Sequence, residues 1–159
     1  MVKAAAFTWL ATVSLASAQA VGVSDLAPAY NQLDTITPIS LKGCTPGDDI
    51  AFCEYEGRGQ IRFRTVGQSI DAPIRELGVY LPITEKVGTD AAYVLTKLLV
   101  IFTPSVDHSR RQDALRSLVS GAAESGRRGE AIVEDVRYVL RASDGRNVRI
   151  YVTRLDLVH

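Results

Sequence analysis

The sequence predicts an α+β domain: a mostly antiparallel sheet built from an N-terminal and a C-terminal hairpin, with two central helices packed on one face. Three observations predict it. Alternating apolar and polar residues fold about short glycine-containing loops near Gly57 and Gly145, as hairpins do. Between them, residues 90–123 carry a helical period interrupted by Pro104. Strands followed by helices followed by strands favour an α+β layering over a doubly wound sheet.

The chain opens with a segment that does not belong to this domain. Lys3 is the only charge before Asp25, and an apolar run from Ala4 to Leu15 leads into Ala16, Ser17, Ala18, Gln19 and Ala20. A basic start, about a dozen apolar residues and an A-x-A ending are the pattern of a signal peptide. Two A-x-A frames end at Ala18 and Ala20, and cleavage after Ala20 is the preferred reading. The competing reading is a buried N-terminal helix. Residues 1–20 are therefore expected to be removed, with 21–47 an extended N-terminal arm and 48–159 the α+β domain. The run is too short to span a bilayer, which takes roughly 20 apolar residues.

The arm contains Pro28, Pro38 and Pro46 among Thr, Asp and Gly, so an edge strand or extended segment is expected there and not a helix. Cys44 and Cys53 are the only cysteines. In an oxidising compartment, two cysteines this close in sequence are expected to pair. A metal site would need further Cys or His at ligand spacing, and the only histidines are His108 and His159.

Ile50 to Glu56 and Gln60 to Val66 alternate around Gly57, Arg58 and Gly59. A three-residue loop with glycine last sets Glu54 opposite Arg62, Tyr55 opposite Ile61 and Cys53 opposite Phe63. Leu77 to Ile83 reads as a short strand, which Pro82 would confine to a sheet edge.

Thr89 or Asp90 can cap a first helix of 90–103, ended by Pro104. Its apolar residues run nearly all round, as in a buried helix. A strand over 98–102 is the alternative, because β-branched residues cluster there. Ser105 or Asp107 then caps a second helix with Ala114, Leu115, Leu118, Val119 and Ala122 as its stripe, ended by Gly126 and Gly129. Last, Ile132 to Arg141 and Asn147 to Leu155 alternate around Ser143, Asp144 and Gly145. The corresponding register pairs Leu140 with Val148, Tyr138 with Ile150, Val136 with Val152 and Glu134 with Arg154.

Charge excludes some functions. The chain has 18 basic and 18 acidic residues, and losing Lys3 leaves 17 against 18. A near-neutral protein gives no reason to expect nucleic acid as a partner. The sequence contains no nucleophile elbow, P-loop, dinucleotide fingerprint or H-E-x-x-H, and no cofactor is expected. Asp107, His108 and Ser109 spell a hydrolytic triad, but neighbours on a helix point about 100° apart. Asp48, Asp49, Glu54 and Glu56 crowd four carboxylates into a short stretch without the spacing of a calcium loop.

One feature points to binding. On the outer face of the C-terminal hairpin the predicted register sets Arg137 opposite Tyr151 and Val139 opposite Arg149, with Arg141 beside the turn. Arginine and tyrosine are enriched where interfaces carry their energy. An ordinary solvated face is the plain alternative, with arginine stems covering aliphatic groups. The expected function is that of an exported, non-enzymatic binding protein, periplasmic or secreted, whose partner is a protein with an acidic surface. Arg137, Arg141, Arg149 and Tyr151 are its candidate contact residues. The alternatives are an envelope hydrolase using His108 or the Asp48 and Asp49 carboxylates, and a small-ligand carrier with a cavity lined by Leu99 and Phe102.

Overall fold

In the computed structural model, residues 20–33, 36–124, 128–143 and 147–158 are described. The signal-peptide reading of residues 1–20 lies outside the described residues apart from Ala20, as do Asp144, Gly145, Gly126 and His159. The elements run α1 (Leu26–Leu33), β1 (Ile39–Thr45), β2 (Ala51–Gly57), β3 (Arg62–Gly67), β4 (Glu76–Pro82), α2 (Val87–Phe102), α3 (His108–Glu124), β5 (Arg128–Val133), β6 (Val136–Ser143) and β7 (Asn147–Arg154). All strands join one seven-stranded sheet in the order β1-β2-β3-β4-β7-β6-β5, with every neighbouring pair antiparallel.

Alternation along the strands gives the sheet two unlike faces. Tyr55, Phe63, Leu77, Val79, Leu81, Tyr138, Leu140, Ile150 and Val152 are buried. They share one core cluster with Leu26 and Tyr30 of α1, Val94, Leu98 and Leu99 of α2, and Ala114 and Leu118 of α3. Each large apolar side chain taken fully out of water contributes roughly 1.5–3 kcal/mol. The intervening strand residues, among them Glu54, Arg62, Arg64 and Arg141, are exposed, and Tyr80, Arg149 and Tyr151 are half-buried.

The stretch expected to be an extended arm holds a helix. Leu26 and Tyr30 stand one turn apart and are both buried, and Pro28 lies in the first turn, where its missing N–H costs no helical bond. The expected edge strand is also there, as β1. Ahead of α1 the backbone docks across the chain: Ile74 donates to the Val21 carbonyl at 2.9 Å and Val23 donates to Ala72 at 2.9 Å. The Val23 carbonyl accepts two buried hydroxyls, Tyr55 Oη at 2.6 Å and Thr65 Oγ1 at 2.7 Å. Thr65→Val removes one of them and is expected to lower unfolding stability by about 1 kcal/mol, read from urea denaturation. An unchanged midpoint would mean that this docking contributes nothing.

Both hairpins pair two residues away from the predicted register. Tyr55 faces Phe63, Cys53 faces Thr65, and Glu54 faces Arg64, not Arg62. Leu140 faces Ile150, Tyr138 faces Val152, and Val136 faces Arg154. In the first loop Gly57 N–H bonds the Ile61 carbonyl at 2.8 Å, so the loop is Arg58, Gly59 and Gln60, with Gly59 and Gln60 at φ of 73° and 66°. Gly59 is left-handed as expected, but Gln60 after it is left-handed as well, and the loop closes one residue later than supposed. A shift of two keeps every side chain on its face, so alternation alone did not exclude it.

Other boundaries differ for local reasons. The strand read from Ile132 to Arg141 is two strands, β5 and β6, joined at Glu134 and Asp135, with Glu134 at φ 51°. The expected Glu134–Arg154 pair does not form, since Glu134 is in that turn. Gly129 lies inside β5 instead of ending the second helix. β4 is central, not an edge strand, because Pro82 falls at its last position, where the ladder ends. α2 is helical through residues 98–102, but starts at Val87 behind Lys86 without a side-chain cap. Val119, assigned to the buried stripe of α3, is exposed.

Lys97 of α2 is buried to 5% exposure, with its ammonium 4.4 Å from the Tyr30 ring and 3.9 Å from the Tyr93 ring. This contact between a cation and two ring faces ties α1 to α2. Cys44 and Cys53 form a disulfide between directly paired residues of β1 and β2. Cys44→Ser with Cys53→Ser is expected to cost about 2 kcal/mol, since the bond closes a loop of about ten residues. The measurement is the denaturation midpoint of the double variant, and equal midpoints would contradict the assignment.

Candidate functional site

The outer sheet face is assembled by ladder pairing between distant parts of the chain. β4 pairs with β7, bringing Tyr80 opposite Arg149 and Gly78 opposite Tyr151. β6 then sets Arg141 opposite Arg149 and Val139 opposite Tyr151. β5 adds Arg128 opposite Arg141, and β3 adds Arg62 opposite Tyr80. The result is one row across five adjacent strands: Arg62, Tyr80, Arg149, Arg141 and Arg128. It holds four arginines, and on the next strand Glu56 of β2 stands opposite Arg62 at its end.

Of the residues singled out from the sequence, Arg141 and Arg149 are directly paired and Tyr151 lies two residues along the same face of β7. The expected pairs Arg137–Tyr151 and Val139–Arg149 do not occur. Arg137 faces Thr153, two residues from the place assigned to it, through the register shift described above. Its Nε makes an ion pair with Glu130 Oε1 at 2.7 Å, and Arg128 meets the other carboxylate oxygen at 2.9 Å. Contact with Arg137, reinforced by Arg128, holds the Glu130 carboxyl below the usual carboxylate range. Arg137 is thus engaged within the sheet, whereas Arg141 makes no ion pair among the described residues.

Tyr80 is the residue that sequence reasoning missed. Its ring lies 6.0 Å from the Arg62 guanidinium and 5.6 Å from that of Arg149, one on each side. It leans over Gly78, where an added Cβ would lie 3.5 Å from the ring. Two depressions of 380 Å³ and 470 Å³ share Glu56, Arg62 and Tyr80 in their walls. Further along, the Arg64 guanidinium stacks 4.0 Å over the Phe52 ring. No local pattern flags Tyr80, because its neighbours Arg62 and Arg149 belong to strands far apart in sequence.

Comparison with protein-family models, with curated proteins and with solved structures finds no match.

The other candidates do not converge on a site. His108 is exposed at the start of α3. Asp107 accepts the Arg110 N–H at 2.9 Å and the Ser109 hydroxyl at 2.8 Å, which is an N-cap. Those two bonds, the Arg110 N–H first, lower the Asp107 carboxyl below its ordinary range. Its oxygens are turned to the helix start, not to the His108 ring. Asp48 and Asp49 are exposed between β1 and β2, and among the described residues no group of three or more His, Cys, Asp or Glu is placed to hold a metal. Leu99 is in the core cluster at 1% exposure, while Phe102 lines a 180 Å³ surface cleft. No helix among the described residues is long and apolar enough to cross a membrane.

Proposed function

We propose that this chain is an exported, non-enzymatic binding protein of a bacterial envelope, periplasmic or secreted, and that its partner is a protein with an acidic surface. The helices cover the face of Tyr55, Val79 and Ile150, and the opposite face is the working surface. One observation carries this reading. Arg141, which makes no ion pair among the described residues, stands directly opposed to Arg149 on one side and on the other to Arg128, itself held by Glu130 at 2.9 Å, and like charges in that position are destabilising. A chain with equal numbers of acidic and basic residues has no compositional reason to stack them, whereas an anionic partner offsets the repulsion. Arginine forks suit carboxylates because two parallel N–H donors match two oxygens.

The disulfide between Cys44 and Cys53 supports export, since such bonds persist in an oxidising compartment.

A photo-crosslinking residue in place of Tyr151, compared with one in place of the exposed Ala123 of α3, tests the face in the native host. The expected result is a defined adduct from position 151, with its acidic segment identified by mass spectrometry, and none from 123. Adducts from 123 alone would place the working surface on the helices.

A further inference from the structure

From the same surface, and resting on the reading of it as the working face, we propose that Arg62, Tyr80 and Arg149 form the anchor subsite for an extended, carboxylate-rich polypeptide segment of the partner. That segment lies across the strands toward Arg141 and Arg128. Tyr80 stands between the Arg62 and Arg149 guanidinium groups at 6.0 and 5.6 Å. A ring so flanked restricts both guanidiniums before any ligand arrives, which reduces the ordering cost of binding.

Arg62 also borders both depressions at this place. Their walls combine the basic Lys42, Arg62 and Arg64 and the acidic Glu54 and Glu56 with Tyr80 and Pro82. A peptide bearing both carboxylates and aliphatic stems suits such walls better than a bare polyanion does. With strands about 4.8 Å apart, the four steps from Arg62 to Arg128 span about 19 Å, the length of about six extended residues. Lys42 holds Glu56 at 3.0 Å and so partly neutralises the carboxylate at the Arg62 end of the row. Charge neutrality of the whole chain argues against long-range capture of a nucleic acid and leaves short-range pairing as the source of affinity.

Fluorescein-labelled hexaglutamate, titrated into the full chain and followed by anisotropy in low salt, tests the subsite. Saturable binding is expected, weakened at least tenfold in Arg62→Ala with Arg149→Ala and unchanged in Arg110→Ala with Arg116→Ala on α3. Arg149 is half-buried, so Arg62→Ala alone serves as the second variant, with a melting curve for each. Equal binding by the wild type and both sheet variants would overturn the proposal. So would inorganic polyphosphate binding more tightly than hexaglutamate through the same arginines, because the site would then be one for phosphate chains. If the Tyr151 crosslink forms but hexaglutamate does not bind, the subsite fails and the working face stands. If neither is seen, both fail.

Discussion

Gly129→Ala is expected to cost about 3 kcal/mol or more, the upper end of what overpacking does to a core. A Cβ built on Gly129 would sit 1.8 Å from the Leu118 carbonyl oxygen and 2.9 Å from the Leu118 Cα. These are backbone atoms in the middle of α3, so no side chain can swing aside. Either the helix or β5 must move, and Leu118, fully buried in the core cluster, moves with the helix. Gly121 reinforces the point from the other side, since its own Cβ would meet the Gly129 Cα at 2.9 Å. Against a typical domain stability of 5–15 kcal/mol, such a loss is visible as a large fall in the urea midpoint. Gly88→Ala, where nothing lies within 4 Å, is the control. It sits early in α2 and is expected to gain about 0.5 kcal/mol. Equal midpoints for Gly129→Ala and wild type would show that α3 and β5 do not touch as described.

The second large effect is on association. Arg141→Glu is expected to raise stability while lowering partner affinity at least tenfold. In the sheet it converts Arg128–Arg141–Arg149, three like charges in register, into a carboxylate flanked by two arginines. Opposed charges across strands contribute roughly 0.2–1 kcal/mol, a small gain for a single exposed substitution. For an acidic partner the same change replaces an attraction with a repulsion. A substitution that helps folding and harms binding separates a functional row from a solvated face, where neither property would depend on the sign of the charge. The partner recovered by crosslinking, titrated against both proteins with a urea curve for each, makes the comparison. A stabilised variant with undiminished binding would mean that the row plays no part.

How much of this was legible in the sequence follows from which contacts are local. The two helices, the two hairpins and the disulfide rest on neighbours within about twenty residues, and periodicity or spacing exposes them. The side of the sheet on which Arg137, Arg141, Arg149 and Tyr151 lie was legible for the same reason, because a strand's period of two fixes faces. Register was not. The first loop accepts a second left-handed residue, Gln60, after Gly59, and in both hairpins the apolar pairs look equally good after a shift of two. The helix at Leu26–Leu33 was hidden because its burial comes from Phe63 and α2: Tyr30 meets the Phe63 ring edge-on at 5.3 Å. Tyr80 stayed invisible because β4 and β7 are brought together only by the complete sheet order.

The account turns on the arginine row being where the partner sits. The Nε–Hε resonances of the arginines in a 15N-labelled sample, recorded with and without the crosslinked partner, report on each guanidinium separately. The account predicts shifts for Arg62, Arg128, Arg141 and Arg149 and none for Arg110 and Arg116 of α3. Shifts confined to the α3 arginines, with the sheet row unchanged at saturation, would contradict it.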